Sequence, residues 1–375
     1  MKIVVNTRLL QKNRLDGIFW FSYYSLKYIT QKYSEHQFYF IFDRKFDKSF
    51  IFSDNIEPII LPPPTRHPLI FPYWFEIALA GKLKKLNPDI FLSPDGYLSL
   101  RSKVIQLPVI HDINFFHNPQ DIPFSARSHY NYFFPKYAQK AKRIATVSEF
   151  SKSDIVNSYK INPEKIDVVY NGASEIYIPL SESEKNKIKA NYSNSTDYFI
   201  FVGSLSPRKN VENLFKAFDI FKNNTGSVFK LMIVGSPMHK TSGIFQTFSS
   251  LIHKKDIIFT GKLEEDILHK VLAASSGLTF VPYFEGFGIP ILEAMYCEVP
   301  VICSNLTSMP EVAGDAGLLV NPYDTQEIAS AMETLANNKQ FASKLIENAR
   351  LQRTKFSHTQ TAEKLWQSIE TCIHT

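Results

Sequence analysis

Cysteine is scarce in this chain: Cys297, Cys303 and Cys372 are the three among 375 residues. An odd number, at spacings that match no zinc pattern, argues for a reducing compartment and against a disulfide framework or a structural metal. Long apolar runs are missing too. No window approaches ~18 consecutive apolar residues, so no bilayer-spanning helix is expected. The apolar run within MKIVVNTRLL is too short for a signal peptide. A strong charge of either sign is also lacking. The formal net charge of +6 suits nucleotide phosphates, lipid phosphates or a membrane surface. It is too weak and scattered for a nucleic-acid protein, and no nucleic-acid motif occurs. These absences point to a cytoplasmic protein, at most peripheral at the inner face of the membrane.

What is present is an alternation. Short β-rich runs, KIVVN (2–6), FYFIF (38–42), EPIIL (57–61), DIFLSP (89–94), VIQLPVIHD (104–112), RIATVS (143–148) and KIDVVYNG (165–172), are interleaved with helical patterns such as 18–32. Brief, apolar, β-branched or aromatic runs are the mark of buried parallel strands. A polar stretch, SESEKNKIKANYSNSTD (181–197), interrupts them near mid-chain. The alternation then restarts with YFIFVGS (198–204), KLMIVGS (230–236), DIIFTGK (256–262), GLTFVPY (277–283), PVICSN (300–305) and GLLVNP (317–322). Three helices, about 325–335, 340–355 and 359–373, close the chain. The expectation is α/β: two Rossmann-like, doubly wound parallel-sheet domains, 1–178 and 179–355, with a helix over 356–375 packing back on the first. Ligands in such folds bind outside the carboxyl ends of the strands, so a site in a cleft fed by both halves is expected.

The densest chemistry lies in VPYFEGFGIPILEAM (281–295). A strand ends at Tyr283, a loop follows, and a helix opens with Ile289 and Pro290, a residue suited to a first helical turn. Gly286 and Gly288 let the backbone approach a ligand. Free N–H groups at the helix start favour an anion or sugar oxygens. Glu285 on the loop and Glu293 one turn into the helix could accept hydrogen bonds from several hydroxyls. Taken singly, Glu293 reads equally as a helix-dipole partner and Glu285 as a solvated carboxylate. A dinucleotide fingerprint fits poorly, because Ile291 stands at the third glycine position.

In FVGSLSPRKNVENL (201–214) a strand ends at Gly203, followed by Ser204, and a helix begins near Asn210. Arg208 and Lys209 beside that helix start form a diphosphate site; a solvated basic turn is the plain alternative. In LPVIHDINFFHNP (107–119), His111 and Asp112 follow a strand. A lone histidine there is ordinarily structural.

The string 281–295 resembles the signature of glycosyltransferase family 4, in which two glutamates are separated by seven residues. The family is retaining, has the two-domain GT-B fold and needs no metal. The resemblance implies that Glu285 binds donor-sugar hydroxyls, that the backbone of Phe287, Gly288 and Ile289 holds the sugar, and that Glu293 binds the ribose. Lys209 matches the family lysine that neutralises the leaving diphosphate. Relatives carry an arginine directly after the strand-end glycine; here that place is Ser204, and Arg208 supplies the second cation, as in the branch reading PRKN. His111 matches the family histidine beside donor sugar and acceptor. Relatives also have a glycine-rich loop after the first strand. Here LDGIFWFSYY (15–24) holds only Gly17, whose neighbouring N–H groups could lie near the donor phosphate.

The function these residues imply is transfer of a hexose, mannose from GDP-mannose or a UDP-linked rival, to a glycan or lipid-linked acceptor in surface polysaccharide synthesis. No cofactor and no metal are expected. A non-catalytic sugar-nucleotide-binding subunit, an epimerase of similar fold and a nicotinamide oxidoreductase are the competing classes; the glutamate string favours transfer over epimerisation. Residues 66–88 mix aromatics with Lys82, Lys84 and Lys85 and read either as a membrane-surface segment or as a core helix with a basic end.

Overall fold

The computed structural model describes residues 1–12, 17–238 and 241–374. The chain divides into two compact units, residues 1–172 with 358–375, and residues 173–357.

In the first unit, β1 (Lys2–Asn6), β2 (Gln37–Phe42), β3 (Ile56–Ile60), β4 (Ile90–Ser93) and β5 (Ile105–Pro108) form a sheet in the order β3-β2-β1-β4-β5. Every pairing is parallel. A bridge between Val109 and Ala145 carries the sheet on to β6 (Ile144–Thr146) and β7 (Ile166–Val168). The central strands are apolar on both faces: Ile3, Val4, Val5, Ile90, Phe91 and Leu92 are buried, as crossover helices on both faces require. The closing helix His358–His374 belongs to this unit. Its Trp366 stacks on Tyr33 with ring centroids 3.9 Å apart, and its Glu363 pairs with Lys32 at 2.6 Å.

The segment 66–88 has two apolar sides. Trp74, Phe75, Leu79 and Leu83 lie in the core, while Leu69, Tyr73 and Ile77, one turn apart, are exposed together with Lys84 and Lys85. Among the described residues no helix is long and apolar enough to cross a membrane.

In the second unit, β8 (Tyr198–Val202), β9 (Lys230–Val234), β10 (Ile257–Gly261), β11 (Gly277–Phe280), β12 (Val301–Ser304) and β13 (Gly317–Val320) pair in parallel in the order β10-β9-β8-β11-β12-β13. This is the dinucleotide-fold order, in which the winding direction reverses between the first and fourth strands of the unit. The reversal falls between β8 and β11.

The polar stretch 181–197, which interrupts the alternation near mid-chain, is mostly the helix Glu182–Ser193 of the second unit. A reciprocal cap explains it. Ser181 accepts from the Glu184 amide, and the Glu184 carboxylate accepts from the Ser181 amide at 2.9 Å, satisfying amides that a helix start leaves open.

Candidate active site

The crevice at a winding reversal is where ligands bind in open α/β sheets, and two loops meet there in the second unit. The loop after β8 runs through Gly203 and Ser204 into a short turn, Pro207–Lys209, and the helix Val211–Thr225. The loop after β11 runs from Val281 to Gly288 and into the helix Ile289–Tyr296. The first loop passes so close to the end of β9 that a Cβ on Gly235 would lie 1.8 Å from the Gly203 carbonyl oxygen.

The two loops are laced together. The Tyr283 amide donates to the Arg208 carbonyl at 2.9 Å. Asn210, in a left-handed conformation at φ +57°, donates from Nδ2 to the carbonyls of Val281 (2.9 Å) and Pro322 (2.7 Å). Arg208 donates to the Phe284 carbonyl at 3.1 Å and to the Glu285 carboxylate. Lys209 Nζ reaches the same Glu285 oxygen at 2.7 Å and sits 4.7 Å from the centre of the Phe280 ring. Lys209 and Glu285 are each 8% exposed. Burial by itself would raise the Glu285 pKa, but Arg208 and Lys209 outweigh it and hold the carboxyl below its ordinary value. The structure thus joins three residues the sequence assigned to two tasks: both cations expected at the diphosphate are tied to the carboxylate expected at the sugar.

The Glu285 backbone is fixed from behind. Ser308 Oγ donates to the carbonyls of Glu285 (2.9 Å) and Phe287 (3.1 Å). Phe287 is buried edge-on against Phe356. Gly288 takes φ +99°, and a Cβ there would come within 2.7 Å of Met309 Cε, so glycine alone suits the turn into the helix. Gly286 is buried beside it. Ile289 opens the helix, with Pro290 in its first turn.

Glu293 stands apart from this triad. Burial pushes its pKa up to about 7, opposed in part by a hydrogen bond with Tyr177 and reinforced by Glu265. Burial also raises the Glu265 pKa. Neither Tyr177 nor Glu265 was visible as a site residue, since each lies far from the glutamate string in sequence.

The raised value has a stability consequence. Between the ordinary 4.5 and about 7, the folded chain holds a proton that the unfolded chain releases. The stability Glu293 contributes is therefore complete below the unfolded value and is lost as pH rises through the folded one. Urea unfolding compared at about pH 5 and about pH 8 is expected to show stability falling with pH, and Glu293→Gln to flatten that slope. An unchanged slope in the variant would assign the proton to another group.

In the first unit, His111 follows β5 and is half-buried. Its Nε2 donates to the Pro94 carbonyl at 2.9 Å and its ring meets Phe21 edge-on. A carbonyl oxygen can only accept, so Nε2 carries a proton. Asp112 caps the Asn114 amide at 3.0 Å. Both line a cavity of about 540 Å³ whose other walls include Arg8, Arg44, Arg66 and Asp95. None of these four carried a motif.

The altered glycine loop at 15–24 falls partly outside the described residues, at 15 and 16. From Gly17 onward it is the helix Gly17–Lys32, not a loop. Phe19 is buried against Phe50, and Trp20 stacks on Tyr24, so these aromatics serve packing. Ser204 is half-buried on its loop.

Comparison with known proteins matches these features on both units. The model for glycosyl transferases group 1 matches residues 182–352, and that for glycosyltransferase family 4 matches residues 27–175. The chain is 31% identical over 252 residues to an O-antigen chain mannosyltransferase B from Escherichia coli, an alignment covering 67% of this chain and 66% of that protein. It is 26% identical over 230 residues to the serotype-specific mannosyltransferase WbdA from Escherichia coli, covering 60% of this chain and 28% of that protein. The alignments thus span about two-thirds and about a quarter of these relatives. Among solved structures, Anabaena HepE in complex with UDP and glucose superposes with a TM-score of 0.75 at 18% identity, covering 99% of each chain.

Proposed function

This chain belongs to the group 1 and family 4 glycosyltransferases, with the GT-B fold, and from that premise we propose that it moves mannose from GDP-mannose, with retention and without a metal, onto a glycan or lipid-linked acceptor in surface polysaccharide synthesis. The observation that carries the reading is the Arg208–Lys209–Glu285 cluster at the β8/β11 reversal, with Lys209 and Glu285 buried and Arg208 half-buried. The mannosyl donor is favoured by the names of the two relatives.

The physical steps follow from the residues. A nucleotide diphosphate offers Lys209 and Arg208 a second anion in place of Glu285, and the cations then stabilise the charge growing on the departing phosphate. Glu285, released from its pairs, accepts hydrogen bonds from donor-sugar hydroxyls. Glu293, ionised, accepts from the ribose. The acceptor hydroxyl, oriented by His111, attacks the anomeric carbon on the face the diphosphate leaves, and a leaving phosphate oxygen takes its proton.

The test is a thermal-shift panel of GDP-, UDP-, ADP- and dTDP-sugars with and without EDTA, followed by transfer with the best donor. GDP-mannose is expected to stabilise most, unchanged by EDTA. Stabilisation by a UDP-sugar instead would reassign the donor. A metal requirement would overturn the mechanism, and binding without turnover would make the chain a non-catalytic subunit.

A further inference from the structure

The helix that follows the turn at Phe287 and Gly288 is tied at both ends to one short segment of the second unit. That helix, Ile289–Tyr296, carries Glu293 and has 8 residues, which makes it about 12 Å long. The segment is 353–356, the last turn before the chain passes through Ser357 into the closing helix His358–His374 of the first unit. At the near end, the Phe356 ring meets the Phe287 ring edge-on, with centroids 5.6 Å apart. At the far end, the Tyr296 hydroxyl donates to the Phe356 carbonyl at 2.9 Å. Arg353 Nη1 donates there to the carbonyls of Met295 (3.1 Å) and Tyr296 (3.2 Å).

The strap is held firmly. The Phe356 amide closes on the Arg353 carbonyl at 3.1 Å. The Arg353 guanidinium lies 5.3 Å from the centre of the Tyr296 ring, and Glu298 reaches it at 3.8 Å. Arg353 satisfies carbonyls that a helix end leaves open, and its positive charge suits that end of the helix dipole. Phe356 is 2% exposed and Phe287 4%. In an interior packed as densely as an organic crystal, neither ring moves without displacing the other. Phe287 has little slack elsewhere, since Ser308 holds its carbonyl and Met309 Cε crowds Gly288. A shift of the Phe356 ring therefore passes into the backbone at Phe287 and Gly288.

We propose that Phe356 is a positioning residue for the donor sugar: through the Phe287 ring it sets the backbone of Phe287, Gly288 and Ile289, and Tyr296 and Arg353 in turn set Phe356. This assignment rests on the glycosyltransferase reading, in which that backbone holds the sugar. Phe356 acts through Phe287, not on the ligand. The diphosphate falls to Arg208 and Lys209, on the separate loop after β8. A disturbed strap therefore reaches the sugar and spares the nucleotide. Small displacements suffice, because holding a reactant in place depends steeply on geometry. The Tyr296 hydroxyl bonds the strap at the helix end opposite the turn, so its influence on the sugar reports the strap and not a ligand contact.

The experiment titrates the wild-type chain, Phe356→Leu and Tyr296→Phe with GDP-mannose and with GDP, and in a second series with UDP-glucose and UDP. With the pair that the wild-type chain binds, Phe356→Leu is expected to weaken the nucleotide-sugar about tenfold and Tyr296→Phe about threefold, with the free nucleotide held within about twofold. In transfer assays the KM for the nucleotide-sugar should rise while the Ki of the free nucleotide stays put. Phe221→Leu trims an equally buried ring of the same unit, packed on Phe199 and Phe229. It is expected to lower the melting temperature comparably and to leave the ratio of the two affinities at the wild-type value. Equal weakening of nucleotide and nucleotide-sugar by Phe356→Leu, or an equal change of ratio in Phe221→Leu, overturns the proposal. If the wild-type chain binds a pair and the strap variants leave the ratio unmoved, only the strap falls. If it binds neither pair, the transferase reading falls with it.

Discussion

Lys209→Ala is expected to lower transfer turnover about 10²–10³-fold, the usual cost of removing one preorganised donor from a developing oxyanion. Lys209 is buried, bonded to Glu285 at 2.7 Å and seated over Phe280, so its charge acts where water screens little. Arg208 remains bonded to Glu285 in the variant, which limits the stability loss below the roughly 3–5 kcal/mol of a fully orphaned buried charge. Steady-state kinetics with a parallel melting curve separates the two effects. Near-normal turnover in a folded variant would remove Lys209 from the leaving-group site.

Glu285→Gln is expected to split binding from catalysis. In the ligand-free chain Glu285 competes with the diphosphate for Arg208 and Lys209. Neutralising it frees both cations, so nucleotide diphosphate should bind a few-fold more tightly, a gain of about 1 kcal/mol. The nucleotide-sugar should lose that advantage, because an amide is a weaker acceptor for sugar hydroxyls than a carboxylate. Turnover should fall about 10²-fold. Titration calorimetry with the free nucleotide and with the nucleotide-sugar reads the difference. Weaker binding of both in equal measure would mean that Glu285 only holds the loop in place.

Much of the fold was legible because buried parallel strands have a narrow chemistry. YFIFV and KLMIV, at 198–202 and 230–234, admit little else. The readings overran mainly at the carboxyl ends: Gly203–Ser204, Val281–Tyr283 and Ile110–Asp112 look strand-like but leave the ladder. Those are the positions where the chain turns out to make the site. The helix at 182–193 is signalled by Ser181 and Glu184 at capping-box spacing, yet its polarity read as an interruption near mid-chain.

The glutamate string was legible because it is contiguous. The arginines of the cavity beside His111 were not. Arg8 and Arg44 each stand two residues beyond a strand end, but they belong to loops that only the β3-β2-β1 order makes neighbours. Nor could spacing show that Glu285 would be shared by Arg208 and Lys209, or that Tyr177 and Glu265 would raise the question of Glu293's proton. Those contacts are tertiary, and each depends on how loops from different strands converge.

The most direct test of the donor site is a structure of the chain with bound nucleotide diphosphate. The expected result is the β-phosphate within hydrogen-bond distance of Lys209 Nζ and the Arg208 guanidinium, with the Glu285 carboxylate drawn away from both. A nucleotide bound elsewhere, or bound while the Lys209–Glu285 pair stays closed at its present 2.7 Å, would contradict it.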